Sequence, residues 1–443
     1  MQQDQKNNAT PPHRIVIVGG GASGLELATR LGDTLGKRGQ AEIILVDRTR
    51  THVWKPLLHA VAAGSMDIHH DQIDYLYQAR WHNFFYCRDA MEGLDRARKE
   101  VMIAAVQDDD GAEILPQRRE RYDTLVIAIG SVSNDFGTPG VKENAFKLDT
   151  AWEAHLFNRR LVNACFSANY RLSHADEFFD IVIVGAGATG VELAAELHNT
   201  TRVLAGYGLR ELDPDRHVRI SLIEAGPRIL PGLPEYLSGA VTKALTGLQV
   251  NILVGERVTE VTPNEIRTAS GKVVPATITV WAAGIRCPEF MHDLDGLESD
   301  RINRLVVRQT LQTTRDDDIF VMGDCAACPW REDQTVPPRA MAAHQQASHL
   351  TRTLTDRLRG KAARPFHYKD FGSLVSLGRD DTVGNLMGFL RSSDIRLEGF
   401  VAKLMYKSLY KSHRIAINGF WRTVLDTIGN LIRRQTDPHV KLH

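Results

Sequence analysis

Cysteine is scarce in this chain, and long apolar runs are missing from it. Five cysteines among 443 residues form an odd, scattered set, which argues against a disulfide framework and fits a reducing cytosol. No uninterrupted apolar stretch reaches about 18 residues, so we expect no helix that spans a bilayer. The opening residues 1–12 are polar, which predicts a disordered lead-in and not a secretory signal.

An excess of one charge sign is also missing. The 54 Lys and Arg residues balance 54 Asp and Glu residues, and no long basic run occurs. Nucleic acid is therefore excluded as an expected partner.

One sequence pattern is present twice, as RIVIVGGGASGLELATRL from position 14 and DIVIVGAGATGVELAAEL from position 180. Each copy has a β-branched run, glycines spaced G-x-G-x-x-G and a helical apolar pattern, which is typical of a buried parallel strand turning into a helix. The glycines are Gly19, Gly21 and Gly24, then Gly185, Gly187 and Gly190. Such a turn lets a dinucleotide pyrophosphate approach a helix N-terminus. The acidic residues expected after the next strand, to hold a ribose hydroxyl, are Asp47 and Glu224. We therefore predict two dinucleotide sites.

The order of these units predicts one domain inserted into another. Each unit ends in an apolar strand pattern followed by glycine, YDTLVIAIGS at 122–131 in the first and ATITVWAAGI at 276–285 in the second. We expect an α/β protein with two Rossmann-like dinucleotide-binding domains. The predicted division is a lead-in at 1–12, a first domain at 13–150 and 286–375, a second domain at 151–285, and a C-terminal region at 376–443.

Two features near position 324 each allow two interpretations. Asp324 is expected after a strand, at the head of a helix, where it either contacts the polyol chain of a cofactor or is a simple N-cap. Cys325 and Cys328 form a C-x-x-C pair, which is either a redox dithiol or two buried small residues. The second interpretation is favoured, because no second C-x-x-C offers a zinc partner and no cysteine lies at 23–86, where a disulfide reductase needs its dithiol. No metal site is predicted.

The C-terminal segment is basic and amphipathic. In NGFWRTVLDTIGNLIRRQ the large apolar residues share one side of a helix, and Lys403, Lys407, Lys411 and Arg414 add positive charge before it. A soluble helix docked on its own core is one interpretation. The excess of Lys and Arg, with Phe420 and Trp421 at the helix start, favours an interfacial membrane anchor.

Taken together, the motifs resemble those of the type II NADH:quinone oxidoreductases, in their bacterial form. The resemblance rests on VGGGASGLELA, DRTRTHVWKPLLHAVAAGS, LVIAIGSVSNDFGTPGV, VGAGATGVELAAELHN, VWAAGI, GDCA and PPRAMAAHQ in that order. It implies a two-dinucleotide-domain flavoprotein in which the first copy holds FAD and the second holds NADH. Hydride would pass from NADH to FAD, and two electrons would then pass to a membrane quinone without proton pumping. The resemblance also implies peripheral attachment to an anionic lipid surface, on the cytoplasmic face of the inner (plasma) membrane.

The resemblance assigns cofactor roles to individual residues. The residues implied to bind FAD are Gly19, Gly21, Ala22, Ser23, Gly24, Asp47, Arg48, Lys55, Gly130, Asp324 and Ala340. The residues implied to bind NADH are Gly185, Gly187, Ala188, Thr189, Gly190, Glu224 and Gly284.

Four residues are implied to act in catalysis. Glu192 matches a glutamate placed between the nicotinamide and the flavin, although a glutamate in a first helical turn is also favoured by the helix dipole. The quinone motif A-Q-x-x-x-Q keeps its second glutamine as Gln345 but has Met341 at the first. Methionine donates no strong hydrogen bond, so His344 and Gln345 remain as the polar candidates.

Two rival functions stay open at this point. One is a soluble FAD-dependent NADH:acceptor reductase that uses a disulfide, a ferredoxin or oxygen. The other is a non-enzymatic protein that senses NAD or flavin, which the replacement at Met341 favours. The association state is also open, with a homodimer as one alternative.

Overall fold

The computed structural model describes residues 11–108, 110–172, 178–376, 382–386, 395–398, 410–433 and 440. The chain divides into two compact units. The first comprises 1–52, 73–130 and 287–368, and the second comprises 53–72, 131–286 and 369–443. This grouping differs from the predicted boundaries, because the segments 53–72 and 131–150 and the C-terminal region belong with the second unit.

The first unit contains a parallel five-stranded sheet. Its strands, in spatial order, are Phe85–Arg88, Ala41–Asp47, His13–Val18, Thr124–Ile127 and Ile319–Val321. The apolar run of His13–Val18 lies at the centre with helices packed over the sheet, which explains why it reads as continuous hydrophobic sequence and does not alternate.

The second unit repeats this arrangement with its own five parallel strands. In the same spatial order they are Asn251–Val254, Val218–Glu224, Phe179–Val184, Ile278–Trp281 and Ala145–Phe146. The repeated order confirms the predicted α/β class with two Rossmann-like units. One difference is that the fifth strand comes from earlier in the chain in this unit and from later in the first.

In each unit a three-stranded antiparallel sheet lies in the chain between the first and the fourth strand of this spatial order. These sheets are formed by Met91–Asp95, Glu100–Ile103 and Arg118–Arg121, and by Val258–Val261, Glu265–Thr268 and Val273–Pro275. A further antiparallel sheet is formed by Gly372–Ser376, Thr382–Leu386 and Ile395–Glu398. The short strand pairs are Thr51–His52 with Ile73–Asp74, Val106–Gln107 with Glu113–Leu115, Val132–Ser133 with Ile285–Arg286, Leu305–Val306 with Ala326–Ala327, and Pro329–Arg331 with Gln334–Thr335.

Helices cover both sheets. In the first unit they are Ala22–Leu31, Tyr75–Trp81 and Ala340–Arg357, with a π-helical turn at Gly32–Gly36 and 3₁₀ turns at Glu289–Met291, Leu294–Gly296 and Gly323–Cys325. In the second unit they are Leu58–Ala63, which follows a 3₁₀ turn at Lys55–Leu57, and Ile68–Asp71, Val141–Asn144, Ala151–Leu172, Ala188–Gly206, Pro214–His217, Glu235–Gly247, residues 410–418 and Phe420–Arg433. We call Ala22–Leu31 the first nucleotide helix, Ala188–Gly206 the second nucleotide helix, Leu58–Ala63 the His59 helix, Ala340–Arg357 the Met341 helix and Phe420–Arg433 the C-terminal helix.

The C-terminal helix directs its large apolar side chains to solvent. The exposed fractions are 56% for Phe420, 76% for Trp421, 69% for Leu425, 51% for Ile428 and 65% for Ile432. Thr423, on the polar side of the same helix, is only 3% exposed. The helix therefore packs inward at Thr423, with Asp426 half-buried, and it is not docked on a core through its large apolar side chains. No helix within the described ranges is long and apolar enough to cross a membrane.

Polar contacts hold this C-terminal region in the second unit. Arg414, predicted as a surface cation, is buried instead, pairs with Asp426 at 2.9 Å and donates to the carbonyl oxygen of Asp71. Burial raises the pKa of Asp71, and the nearby Arg414 guanidinium opposes that rise. The His413 ring lies 4.0 Å from the Trp54 ring, centroid to centroid. The predicted cations Lys403 and Lys407 lie outside the described residues, as do residues 1–10 of the predicted lead-in.

Candidate functional site

The three glycines of the first loop have three different surroundings. A Cβ atom on Gly19, whose φ is +101°, would lie 2.4 Å from the carbonyl oxygen of Ala128, and a Cβ on Gly24 would lie 1.8 Å from that of Gly19. A Cβ on Gly21 would meet no protein atom within 4 Å. The protein's own packing thus requires the outer two glycines, while the middle one faces open space.

The second loop has the same geometry. Gly185 has φ +102° and would clash with Ala283, and a Cβ on Gly190 would lie 2.0 Å from the carbonyl oxygen of Gly185. Gly187 again faces open space. Because both middle glycines leave room for a ligand where a side chain would block it, both loops fit the pyrophosphate of a dinucleotide.

No carboxylate of their own first turns neutralises the positive N-terminal ends of the two nucleotide helices. Neither first turn contains an acidic residue, and no side chain of the described residues caps Gly21 or Gly187. Ala22 and Ser23 begin one helix, and Ala188 and Thr189 begin the other. Their N–H groups and the positive end of each helix dipole are suited to an anionic ligand.

Asp47 ends the second parallel strand of the first unit, beside the first loop. Its carboxylate accepts hydrogen bonds from the N–H of Gly20 at 2.6 Å and from the N–H of Thr49 at 2.8 Å. These bonds fix the carboxylate beside the first loop, and its contact with a ribose stays a prediction. Arg48, the next residue, is exposed.

Glu224 repeats this arrangement in the second unit. It ends the strand Val218–Glu224 and accepts from the N–H groups of Ala186 and Gly226, both at 2.8 Å. The two acidic residues therefore have equivalent positions, each joined to its own glycine loop by a backbone hydrogen bond.

Left-handed glycines follow the fourth strand of each sheet. Gly130 has φ +83°, and a Cβ there would meet open space, whereas Gly284 has φ +63° and lies against the Phe136 ring. Both positions favour glycine because L side chains rarely adopt this backbone conformation.

Asp324 lies in the 3₁₀ turn Gly323–Cys325, and not at the head of a longer helix as predicted. The N–H of Gly323 donates to Gln346 at 2.7 Å, and a Cβ on Gly323 would lie 3.2 Å from Ser23 Oγ. The turn is therefore held beside the first glycine loop. Because only three residues form this turn, the helix N-cap interpretation loses its basis.

The Met341 helix begins at Ala340 and packs against the first nucleotide helix. Met341, His344 and Gln345 are all half-buried near its start. His344 Nδ1 lies 2.7 Å from Glu26 Oε2, which is fully buried in the first nucleotide helix. The structure thus gathers three of the predicted catalytic residues in the first unit, together with most of the predicted FAD residues.

Glu192 lies in the second unit, as the fifth residue of the second nucleotide helix. Glu192 therefore lies beyond the first helical turn, and the interpretation that the helix dipole favours it there is wrong. The side chain is 5% exposed, and its Oε2 lies 3.4 Å from Nδ1 of His59. Burial lowers the pKa of His59 to about 4, so this imidazole is neutral at pH 7.

Backbone carbonyls at the end of the His59 helix are tied to neighbouring helices. Asn158 Nδ2 donates to the carbonyl oxygen of Ala62 at 3.1 Å, and Thr200 Oγ1 donates to that of Ala63 at 2.8 Å. Both bonds are buried and satisfy carbonyls that a helix C-terminus leaves unpaired. They hold His59 against Glu192.

Lys55, predicted to contact FAD, belongs to the second unit by contact. Its Nζ donates to the carbonyl oxygen of Ser131 at 2.6 Å and lies 3.6 Å from Asp149. Its role toward the flavin stays a prediction.

The C-x-x-C pair is buried and reduced. Cys325 and Cys328 are both 0% exposed and form no disulfide. Burial raises the pKa of Cys325 to about 11 and that of Cys328 to about 12. Since the thiolate is the reactive form, the structure favours two buried structural thiols.

Two residues in these sites carried no predicted role, Glu26 and His59. Glu26 occupies in the first nucleotide helix the place that Glu192 occupies in the second. The repeated motif therefore indicated that the two glutamates have equivalent positions in their units. Their histidine partners could not be found from the repeat.

Comparisons with known proteins agree with this geometry. Residues 13–347 match the family model described as pyridine nucleotide-disulphide oxidoreductase. The chain is 41% identical to a type II NADH:quinone oxidoreductase of Haemophilus influenzae, over 97% of this chain and 99% of that one. It is 29% identical to the protein of that name from Staphylococcus aureus, over 88% and 91%. The solved structure of NDH2 from Plasmodium falciparum in complex with NADH has a TM-score of 0.80 at 16% identity, covering 97% of this chain and all of that one.

Proposed function

The chain belongs to the pyridine nucleotide-disulphide oxidoreductase family and is a type II NADH:quinone oxidoreductase, and from this we propose which of its residues act at each step. The enzyme is a flavoprotein that uses FAD and NADH, and it reduces a quinone. FAD, when bound, supplies the redox chemistry, which is hydride acceptance from NADH and delivery of two electrons to the quinone.

The observation that supports the cofactor assignments best is the open space at the two middle glycines. We assign the first loop to the FAD pyrophosphate, Asp47 to the adenosine ribose, and Asp324 to the ribityl or pyrophosphate region. The N–H groups of Ala22 and Ser23 would neutralise phosphate charge without a lysine or arginine. In this role the chain orients the cofactor and excludes water from it.

The second loop is assigned to the pyrophosphate of NADH, and Glu224 to its adenosine ribose. Glu192 lies in the helix that begins at this pyrophosphate site, and we propose that it contacts the nicotinamide. The neutral His59 then keeps the Glu192 carboxylate in place without cancelling its charge. A fixed carboxylate can orient the nicotinamide amide group, which donates hydrogen bonds.

We expect the enzyme to prefer NADH to NADPH. The Glu224 carboxylate accepts hydrogen bonds from a 2′-hydroxyl but repels a 2′-phosphate. Arg228 could relieve that repulsion, yet its guanidinium already donates to the carbonyl oxygens of Leu230 and Pro231. A repulsion of about 2 kcal/mol makes the preference in kcat/KM roughly thirtyfold.

Steady-state kinetics with both nucleotides measure this preference in the wild type and in Glu224→Gln. The variant keeps the side-chain length and loses the charge, so its preference should fall severalfold. Asp47→Asn, which makes the same change beside the other loop, should leave the preference unchanged. Equal efficiency of the wild type with both nucleotides would refute the assignment of Glu224.

The acceptor side is assigned to Met341, His344 and Gln345. Gln345 offers both an amide donor and an acceptor to a quinone oxygen, whereas Met341 offers no strong donor. Nε2 of His344 is the ring nitrogen left for a ligand, because Nδ1 contacts Glu26, and it donates when the ring is an imidazolium. A quinone site in the first unit therefore has two polar groups within one helical turn.

Gln345→Ala should slow quinone reduction far more than flavin reduction by NADH. Met341→Gln should restore a hydrogen bond of about 1 kcal/mol and raise quinone affinity severalfold. Stopped-flow measurement of the two half-reactions separates these effects. An equal fall in both half-reactions of Gln345→Ala would show that this helix does not form the acceptor site.

We propose that the C-terminal helix attaches the enzyme to the membrane surface. Its exposed apolar side chains support this, because five large groups facing water on one helix mark an interaction surface. Anionic lipid is the expected partner of the basic residues around it, and the cytoplasmic face of the inner membrane is the proposed location. A homodimer stays a prediction.

The function itself is tested by mixing the detergent-solubilised, FAD-loaded protein with NADH and a short-chain quinone. Nicotinamide absorbance should fall only when quinone is present, with one NADH consumed per quinone reduced. A rate that does not depend on quinone, or that appears only with a disulfide or a ferredoxin, would contradict the assigned acceptor.

A further inference from the structure

A buried acidic side chain in the first unit is not used by any step described above. Glu26 is 0% exposed and lies inside the first nucleotide helix, beyond the first turn, where the helix dipole does not explain a carboxylate. Its Oε2 lies 2.7 Å from His344 Nδ1, and its Oε1 lies 2.7 Å from Nη2 of Arg30. A carboxylate in such a place is costly unless it is paired on both sides.

The contact between Glu26 and His344 determines which nitrogen of the His344 ring is left to face a ligand. With Glu26 ionised in its ion pair with Arg30, the carboxylate only accepts hydrogen bonds, and Nδ1 of His344 is then the donor to it. The second ring nitrogen, Nε2, is then the one that can exchange a proton with another molecule. Glu26 and Arg30 are the charged groups that face this ring from the first nucleotide helix, and Arg339 precedes it on its own helix.

The two nucleotide helices differ at this point. Glu192 also has a histidine neighbour, but His59 is 3% exposed, whereas the side chain of His344 is 35% exposed. A histidine that reaches solvent can be protonated again after each turnover, and a sealed one cannot. Of the two glutamate–histidine pairs, the one in the first unit therefore has the ring with direct access to solvent protons.

We propose that Glu26 is a positioning residue that holds His344 so that its Nε2–H donates a proton to the quinone oxygen. This inference rests on the proposed acceptor site. The overall reaction is NADH + H⁺ + quinone → NAD⁺ + quinol, and NADH supplies a hydride, which is two electrons and one proton. The remaining proton comes from solvent through His344, which starts the step as an imidazolium with N–H groups on both ring nitrogens. The Nε2–H bond breaks and an O–H bond forms on the quinol, which leaves the neutral ring with its Nδ1–H on Glu26, and the H⁺ of the overall equation then protonates Nε2 again.

The test compares Glu26→Gln, His344→Gln and the double variant in both half-reactions. His344→Gln should slow quinone reduction about a hundredfold, as expected for loss of a general acid, and Glu26→Gln should slow it about tenfold. The double variant should be no slower than His344→Gln, because Glu26 acts through His344. FAD content and flavin reduction by NADH should stay at the wild-type level in all three.

A second measurement does not depend on activity. Carbethoxylation of histidines at one fixed pH near neutrality, followed by peptide mass spectrometry, reports how accessible and how nucleophilic the ring nitrogens of each histidine are. His344 should react severalfold faster in Glu26→Gln. Asp33→Asn is the matched control, because it removes a carboxylate 2.9 Å from His82 and should change only the His82 rate.

Each failure has its own meaning. If the His344 labelling rate is unchanged in Glu26→Gln, the glutamate does not position the ring. If labelling changes while quinone reduction does not, His344 is not the proton donor. If the double variant is slower than His344→Gln by the full effect of Glu26→Gln, the glutamate acts only on structure. A wild type that fails to reduce quinone at all would instead overturn the proposed function.

Discussion

Replacing Gly21 with valine should give a folded protein that purifies without FAD and has no NADH:quinone activity. The residue has φ −64° and ψ −165°, which valine adopts readily, and its Cβ would meet no protein atom. The cost to the helix start is on the order of 1 kcal/mol, which is small against the stability of a typical domain. The isopropyl group would instead fill the space that the pyrophosphate needs.

Flavin absorbance of the purified protein measures the loss of FAD, and its thermal unfolding curve shows whether the fold is kept. Gly187→Val is the matched control, since it fills the same space in the second loop and should abolish NADH oxidation while the protein stays yellow. Gly24→Ala provides the opposite contrast, because its Cβ would lie 1.8 Å from a backbone oxygen and should destabilise the fold itself. A yellow Gly21→Val protein with normal activity would remove the first loop from the FAD site.

Replacing Trp421, Leu425 and Ile428 together with glutamine should release the enzyme from membranes while its FAD and its activity toward soluble acceptors remain. Each large side chain contributes roughly 1.5 to 3 kcal/mol when fully buried, and less at an interface. Even a total of about 3 kcal/mol changes the membrane partition more than a hundredfold. Because these side chains are exposed, their loss leaves the fold of the second unit intact.

Flotation with vesicles containing anionic lipid measures this release, and high salt should weaken attachment of the wild type. The control is Trp152→Gln with Phe166→Gln, two exposed aromatic residues of the same unit, at 64% and 54%, outside the C-terminal helix. Truncation before Phe420 should also release the protein, but it would leave the buried Arg414 without Asp426, so substitution is the cleaner change. Unchanged flotation of the triple variant would show that this helix is not the anchor.

Much of the fold, including both glycine loops and the acidic residues beside them, could be predicted from the sequence, because the signals are local. The spacing Gly19, Gly21, Gly24 and its repeat at Gly185 mark a strand, a tight turn and a helix within about thirty residues. Asp47 and Glu224 follow at the end of the next strand in each unit. Parallel strands buried on both faces give apolar runs that are read directly from the chain.

Other features needed the tertiary structure, because they join residues that are distant in sequence. Glu26 and His344 are 318 positions apart, and no periodicity links them. The segment with His59 lies before the first antiparallel sheet in the chain, yet it packs in the second unit. A repeat can show that two glutamates are equivalent, but it cannot show which histidine covers each of them.

The C-terminal helix illustrates this division between sequence and structure. By itself the sequence determined that Trp421, Leu425 and Ile428 share one side, because the period of a helix fixes which side chains are neighbours. Only the tertiary structure decided that this side faces outward, since Thr423 and the Arg414–Asp426 ion pair hold the polar side against the second unit. Local sequence sets the pattern on a surface, and the competition among all surfaces for the core decides which of them stays exposed.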